Sequence, residues 1–289
     1  MNLFASANEH PQLKEDFKRQ QLAEIEKEFE IDKFKIKTVT EFAHYSYPTT
    51  HKPTRETIRQ AIQFNNHFRR ENNILIMGPS GTGKEVIAEI IAYDARAPLG
   101  GRLKSLNMAG LTDSLFESQL FGYVPGAFTG ALSKGSKGFL QSVGSGIAFL
   151  DEIGELPLSQ QAKILRVIQS REVMPVGAVE PVKIDCRFIF ATNRDLLEMV
   201  KAGTFREDLY FRISQLILRT YSLKERGAGE IRRIADHMCK FYDFTPLEAD
   251  EYIPVEWVEL GNVRAIYNLL LQRDVQDLKF PRYEPVQAS

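Results

Sequence analysis

Four uninterrupted apolar positions, residues 74–77, are followed by the polar, glycine-rich stretch Gly78-Pro79-Ser80-Gly81-Thr82-Gly83-Lys84-Glu85, and then by apolar residues from Val86 to Ile91. A short apolar run bounded by turn residues reads as a buried strand, and the segment after it opens a packed helix. The same alternation recurs downstream. Strands are expected over residues 103–107, 146–150 and 188–191, and helices over 54–70, 111–121 and 157–169. The apolar faces of those helices are assigned to Ile58, Ile62 and Phe64, to Leu111, Leu115 and Leu120, and to Ala162, Leu165 and Ile168. Strands alternating with helices predict an α/β fold built on a parallel sheet. Residues 122–138 form a long, weakly charged, glycine-rich insertion, and a hairpin-like stretch surrounds Pro175-Val176-Gly177. From about residue 223 the pattern is helical with no further strand, which predicts a small α-domain over 223–289. Residues 1–45 are charged and mixed in sign, with Leu22, Ile25 and Phe29 at helical spacing, so an N-terminal helical extension is expected there. The α/β unit then occupies 46–222.

Composition narrows the class without naming a chemistry. A chain of 289 residues suggests about two domains with ample core. Lys and Arg total 37 against 38 Asp and Glu, so no global basic field advertises nucleic acid. Cys186 and Cys239 show no metal spacing and read as buried free thiols in a reducing cytosol. The five histidines show no metal spacing either. No apolar run approaches membrane-spanning length and no signal-peptide pattern opens the chain, so a cytoplasmic protein is expected.

The chemistry concentrates at the ends of apolar runs. Gly78 to Lys84 has the spacing of a phosphate-binding loop, in which glycines let successive N–H groups face phosphate oxygens and the helix N-terminus adds positive charge. Lys84 would reach the β- and γ-phosphates of ATP as a point charge. The usual next residue is Ser or Thr, whose hydroxyl ligates Mg²⁺; here it is Glu85. Asp151-Glu152 closes the strand at 146–150, where open α/β sheets place their ligand chemistry. The natural roles are Asp151 holding Mg²⁺ and Glu152 polarising the attacking water.

Several further motifs, in order, carry a resemblance to a known family. Residues 120–131 read LFGYVPGAFTGA, in which Gly126, Ala127, Phe128, Thr129, Gly130 and Ala131 spell GAFTGA. FLDEIGEL at 149–156, ATNRDL at 191–196 and FREDLYFR at 205–212 accompany it. Together they resemble the AAA+ ATPase domain of the bacterial enhancer-binding proteins, the sigma-54-dependent transcriptional activators. The likeness is strong over roughly residues 60–220 and weaker over 221–275. In that family the phosphate loop commonly ends in Lys-Glu, so Glu85 fits.

The resemblance implies a P-loop ATPase with a parallel central sheet flanked by helices and a C-terminal helical lid, assembled as a homo-oligomer, a hexameric ring, with ATP and Mg²⁺ as cofactors. It implies that Asn193 contacts the γ-phosphate or the lytic water. Arg206 and Arg212 would reach a neighbouring subunit's nucleotide, and Asn107 would hold Glu152 until the target is engaged. Arg264 would act on the nucleotide from the lid, and the GAFTGA loop would contact the sigma-54 factor of RNA polymerase and move with phosphate state. Two departures qualify it. Where the family has Trp-Pro-Gly-Asn-Val-Arg-Glu-Leu this chain has Glu259-Leu260-Gly261-Asn262-Val263-Arg264-Ala265-Ile266. After Arg264 only 25 residues remain, too few for a helix-turn-helix domain, so direct DNA binding is not expected from this stretch: either the protein works from solution, or a DNA-binding or regulatory partner protein supplies the contact, or the chain is a trimmed form of a longer one.

Overall fold

Strand alternation divides the core into two apolar layers, one on each face of a central sheet. The computed structural model describes residues 38–67, 72–93, 103–130, 132–276 and 278–282, so the helix expected around Leu22, Ile25 and Phe29 lies outside the described residues. In chain order the strands are β1 (Asn73–Met77), β2 (Leu103–Asn107), β3 (Gly122–Tyr123), β4 (Ser136–Lys137), β5 (Ile147–Asp151), β6 (Glu172–Val173), β7 (Val182–Lys183), β8 (Arg187–Thr192) and β9 (Leu216–Arg219). The helices are α1 (Val39–Ser46), α2 (Lys52–His67), α3 (Lys84–Ala92), α4 (Asp113–Phe121), α5 (Phe139–Val143) and α6 (Leu158–Ser170), then α7 (Leu196–Lys201), α8 (Glu207–Ile213), α9 (Leu223–Arg226), α10 (Ala228–Tyr242), α11 (Val255–Val258) and α12 (Val263–Gln276).

Five strands form one sheet in the order β2-β5-β8-β1-β9, and every pairing in it is parallel. Because successive side chains point to opposite faces, Leu75, Ala148, Leu150, Phe188 and Phe190 join one layer. Ile74, Ile76, Ile147, Phe149, Ile189 and Ala191 join the other. Burial on both faces explains the unbroken apolar runs of the sequence. α1, α2 and α3 cover the second layer; α4, α6 and α8 cover the first. α1 begins with a capping box between Thr38 and Glu41, and Phe42 stacks on Tyr93 at 4.7 Å.

β9 is the strand the apolar pattern missed. It lies at the sheet edge, pairs with β1, and delivers the chain to the lid. Two helix faces also differ from expectation. In α6, Ala162 is exposed, and Gln161, Ile164, Leu165, Val167 and Ile168 turn inward. Gln161 is buried because its amide serves backbone: it donates to the Leu156 and Thr204 carbonyls and accepts from the Arg206 N–H. In α4, Leu115 is exposed while Phe116 and Leu120 are buried. The lid packs its own core, in which Leu223, Ile231, Ile234, Ala235, Val258, Ile266, Leu270 and Phe280 meet. Both cysteines are buried and neither is in a disulfide. Among the described residues no helix is long and apolar enough to cross a membrane.

Candidate nucleotide and partner-contact site

All five strands of the parallel sheet end on one edge, where the phosphate loop, Asn107, Asp151, Glu152 and Asn193 lie. β1 runs into the loop Gly78–Gly83, which turns into α3. Gly81 has φ +73°, and a Cβ on it would lie 2.2 Å from the Gly261 carbonyl oxygen. Gly83 has φ +89°, and its Cβ would lie 2.7 Å from Tyr47 Cε2. Both positions demand glycine by conformation and by space.

The loop is gripped through its carbonyls by distant parts of the chain. Asn262 Nδ2 donates to the Ser80 carbonyl at 2.9 Å, and the Val263 N–H to that of Gly81 at 3.0 Å. The Tyr47 hydroxyl donates to the Thr82 carbonyl. Thr82 Oγ1 bonds the Pro79 carbonyl (2.7 Å) and, just past β9, Thr220 Oγ1 (2.6 Å). Tyr47, Thr220 and Asn262 were not found from the sequence, because a side chain bonding a remote carbonyl leaves no spacing signal.

Lys84 is buried, and its Nζ donates to the carbonyls of Gly78 (3.1 Å) and Pro79 (3.3 Å). Burial lowers its pKa; Glu152 and Asp151 pull it back up, and the Arg264 charge depresses it further. The ammonium therefore feels two carboxylates and the lid arginine at once. Arg264 stands over the loop, its Cβ 3.6 Å from the position a Gly81 Cβ would take. Glu85 turns aside: its Oε1 accepts from Ser105 Oγ on β2 at 2.9 Å.

Asp151 ends β5 and its Oδ1 accepts the Glu152 N–H at 2.9 Å. Glu152 holds φ 54° and ψ 45°, a left-handed backbone uncommon for a residue with a side chain and typical of functional sites. Its Oε2 accepts from the Asn193 N–H at 3.3 Å, which ties the ends of β5 and β8 together. Asn107 pairs with Asp151 in the β2–β5 register, and its Oδ1 accepts from the Ala109 N–H at 2.9 Å, capping the turn at Met108–Gly110. A cleft of about 270 Å³ opens between Gly78-Pro79, Asn193 to Asp195, and Thr220-Tyr221.

Arg206 and Arg212 are not part of this gathering. Arg206 precedes α8 on the α6 side, where its guanidinium forks onto Asp208 at 3.0 and 2.8 Å. The Arg212 carbonyl accepts from Asn73 Nδ2 at 2.9 Å, at the start of β1. That is four residues before Met77, roughly 13 Å of strand from the phosphate loop.

The insertion stands on a two-rung stem in which β3 and β4 pair Gly122 with Lys137 and Tyr123 with Ser136. Beyond the stem, the Ala127 N–H closes a turn on the Val124 carbonyl at 3.2 Å. Phe128 is 45% exposed with its ring 5.0 Å from that of Tyr123, and Thr129 is exposed. Gly126 and Gly130 flank the turn; Ala131 lies outside the described residues. The neighbouring hairpin β6–β7 braces the stem: the Val124 N–H donates to the Val176 carbonyl at 3.0 Å, and the Val176 N–H donates to the Gly122 carbonyl at 2.8 Å. Leu132, Met174 and Val179 are exposed as well.

Comparison with known proteins follows this geometry. A family profile described as the Sigma-54 interaction domain matches residues 49–219, more than half of the chain. The regulatory protein AtoC of Escherichia coli (strain K12) is 41% identical over 207 residues, covering 68% of this chain and 44% of AtoC. The Sigma54-dependent transcriptional activator SfnR of Pseudomonas putida is 38% identical over 207 residues, covering 69% of this chain and 56% of SfnR. The chain thus spans about half the length of these curated relatives. The solved structure of NtrX from Brucella abortus in complex with ATP superposes with a TM-score of 0.63 at 27% identity, over 83% of this chain and 54% of that one. A Thermotoga maritima RuvB mutant shares the fold alone, at 17% identity and a TM-score of 0.52. With its parallel sheet, phosphate loop and GAFTGA insertion, the chain has the AAA+ ATPase fold and belongs to the Sigma-54 interaction domain family.

Proposed function

We propose that this chain hydrolyses ATP at the seam between subunits of a homo-oligomeric ring, a hexamer, and uses the GAFTGA loop to remodel sigma-54 RNA polymerase in the cytoplasm. One observation carries the reading. Phosphate loop, Asp151, Glu152, Asn193 and Arg264 converge at one sheet edge, whereas the Arg206 guanidinium is turned onto Asp208 and the Arg212 carbonyl lies at the start of β1, the opposite end of that strand from the loop. A site complete in everything but its arginines is one that a neighbour completes.

The residues fit a nucleotide. The loop's carbonyls are engaged by its supports, which leaves N–H groups for phosphate oxygens, and Lys84 can exchange two carbonyls for phosphate. Glu152 polarises the attacking water, with its carboxylate held by the Asn193 N–H. Arg206 leaves Asp208, an exposed partner that binds it weakly, to neutralise charge on a neighbouring phosphoryl group. Asp151 would hold Mg²⁺. Among the described residues no three His, Cys, Asp or Glu side chains converge on a metal position, so the ion's other ligands would be phosphate oxygens and water. A metal held there would supply charge neutralisation for the phosphoryl group.

Phe128 and Thr129, on an uncharged tip over a narrow stem, suit contact with another protein. Asn107, beside Asp151, is the residue through which target contact would reach Glu152. The domains proposed are 46–222 for the ATPase, 223–289 for the lid and 1–45 for an extension. Incubation with sigma-54, ADP and aluminium fluoride should trap a complex resolved by native gel or gel filtration. A protein that hydrolyses ATP but forms no such complex, and leaves a sigma-54-dependent transcription assay inactive, acts on some other target.

A further inference from the structure

Away from the residues that face the nucleotide, the most deeply buried charges lie where residues 47–50 pass between the lid and the phosphate loop. Glu230 on α10 and Arg226 on α9 have side chains 3% and 0% exposed. Arg226 Nη2 and Nε donate to Glu230 Oε2 at 2.8 and 3.2 Å. Thr49 Oγ1 donates to the same oxygen at 2.5 Å, while the Thr50 N–H and hydroxyl both donate to Oε1 at 2.6 Å. The guanidinium carbon of Arg226 lies 5.2 Å from the centre of the Tyr47 ring, and its Nη1 has no hydrogen-bond partner. Burial disfavours the Glu230 anion, yet the bonds from Thr49 and Thr50 and the Arg226 charge outweigh it and hold its pKa below the usual range.

A buried ion pair is weak evidence for stability, because desolvation cancels much of the attraction. What it does securely is fix position. Here it fixes Tyr47, whose ring is pressed between the Arg226 guanidinium and Gly83 and whose hydroxyl meets the Thr82 carbonyl. The peptide unit from Thr82 to Gly83 is planar and trans, so its C=O and N–H point in opposite directions. A carbonyl held toward Tyr47 turns the Gly83 N–H away from Tyr47. Burial raises the phenol's pKa, Arg226 opposes and Glu230 adds, so the hydroxyl stays protonated and remains a donor.

We propose that Tyr47 is a positioning residue for nucleotide binding, and that the Arg226–Glu230 pair, with Thr49 and Thr50, acts through it to aim the Gly83 N–H at phosphate. Lid and N-terminal strap thereby set the phosphate loop jointly. This rests on the ATP-binding reading above.

The test compares full-chain wild type, Tyr47→Phe, Glu230→Gln and the double variant by titration with a fluorescent N-methylanthraniloyl ATP, with thermal unfolding of each nucleotide-free protein alongside. Loss of one hydroxyl that bonds a loop carbonyl should raise Kd roughly 3- to 10-fold in Tyr47→Phe, with the nucleotide-free melting temperature nearly unchanged. Glu230→Gln, which touches no loop atom, should raise Kd in the same direction, and the double variant should weaken binding by less than the product of the single effects. Wild-type affinity in Tyr47→Phe overturns the inference alone. Multiplicative effects in the double variant overturn the route through Tyr47. A wild type that binds no nucleotide overturns the functional reading itself.

Discussion

Asn262 joins the lid to the phosphate loop through a side chain with two opposed bonds, and that geometry yields a prediction whose sign is unusual. Its backbone is left-handed at φ 51°, and the residue is 3% exposed. Nδ2 donates to the Ser80 carbonyl, and Oδ1 accepts the Leu223 N–H at 2.8 Å where α9 begins. Asn262→Ala removes both bonds, strands the buried Leu223 N–H, and places a residue with no compensating side chain in the left-handed region. The stranded donor costs about 1–3 kcal/mol and the backbone about 1 kcal/mol more, so the lid should lose about 2–4 kcal/mol. Asn262→Gly loses the same bonds but relaxes the backbone, and should lose about 1 kcal/mol less than Ala. In a helix interior the order would be the reverse, with Ala ahead by about 1 kcal/mol. The chain's single tryptophan, Trp257, belongs to the lid, so urea unfolding followed by its fluorescence reads that domain directly. Ala as stable as Gly, or both variants within about 0.5 kcal/mol of wild type, would refute the reasoning.

Other variants test the site and the lid separately. Lys84→Ala should raise the nucleotide Kd by more than about 10-fold in calorimetric titration. Glu152→Gln should bind nucleotide much as wild type does while its steady-state hydrolysis falls roughly 10²–10⁴-fold. Arg206→Ala should bind nucleotide but lose about 10³-fold or more in rate, and mixing it with Lys84→Ala should restore activity, since each supplies what the other lacks across a seam. His237 on α10 is held at a pKa of about 4 by burial, with the Lys240 charge adding. The unfolded chain therefore takes up this proton first as acid is added. The stabilisation from neutral His237 is complete above about pH 6.5 and fades as the pH falls toward 4, by about 3 kcal/mol in all. His237→Phe should flatten that part of the stability–pH curve measured by urea unfolding.

The fold class was legible because strands buried on both faces are written as unbroken apolar runs, and residues 74–77 and 147–150 are such runs. Residues at the ends of those runs were legible too, since a parallel sheet brings its carboxyl ends together: Lys84, Asp151 and Glu152 meet electrostatically. β9 escaped notice because it is a four-residue edge strand in which Ile217 and Arg219 face outward. The inward face of α6 was drawn through Ala162 because periodicity counts apolar residues, and Gln161 is buried for its hydrogen bonds. Tyr47, Thr220 and Asn262 support the phosphate loop from far along the chain, through contacts that only the folded topology creates.

That long-range support has a consequence for synthesis. The loop at 78–83 is held by Tyr47 before it, by Thr220 long after it, and by Asn262 and Val263 later still. A nascent chain released from the ribosome only as far as β8 has the glycines and Lys84 but not the clamps that orient them. The orientation of the loop is therefore completed late, once α12 has emerged and docked.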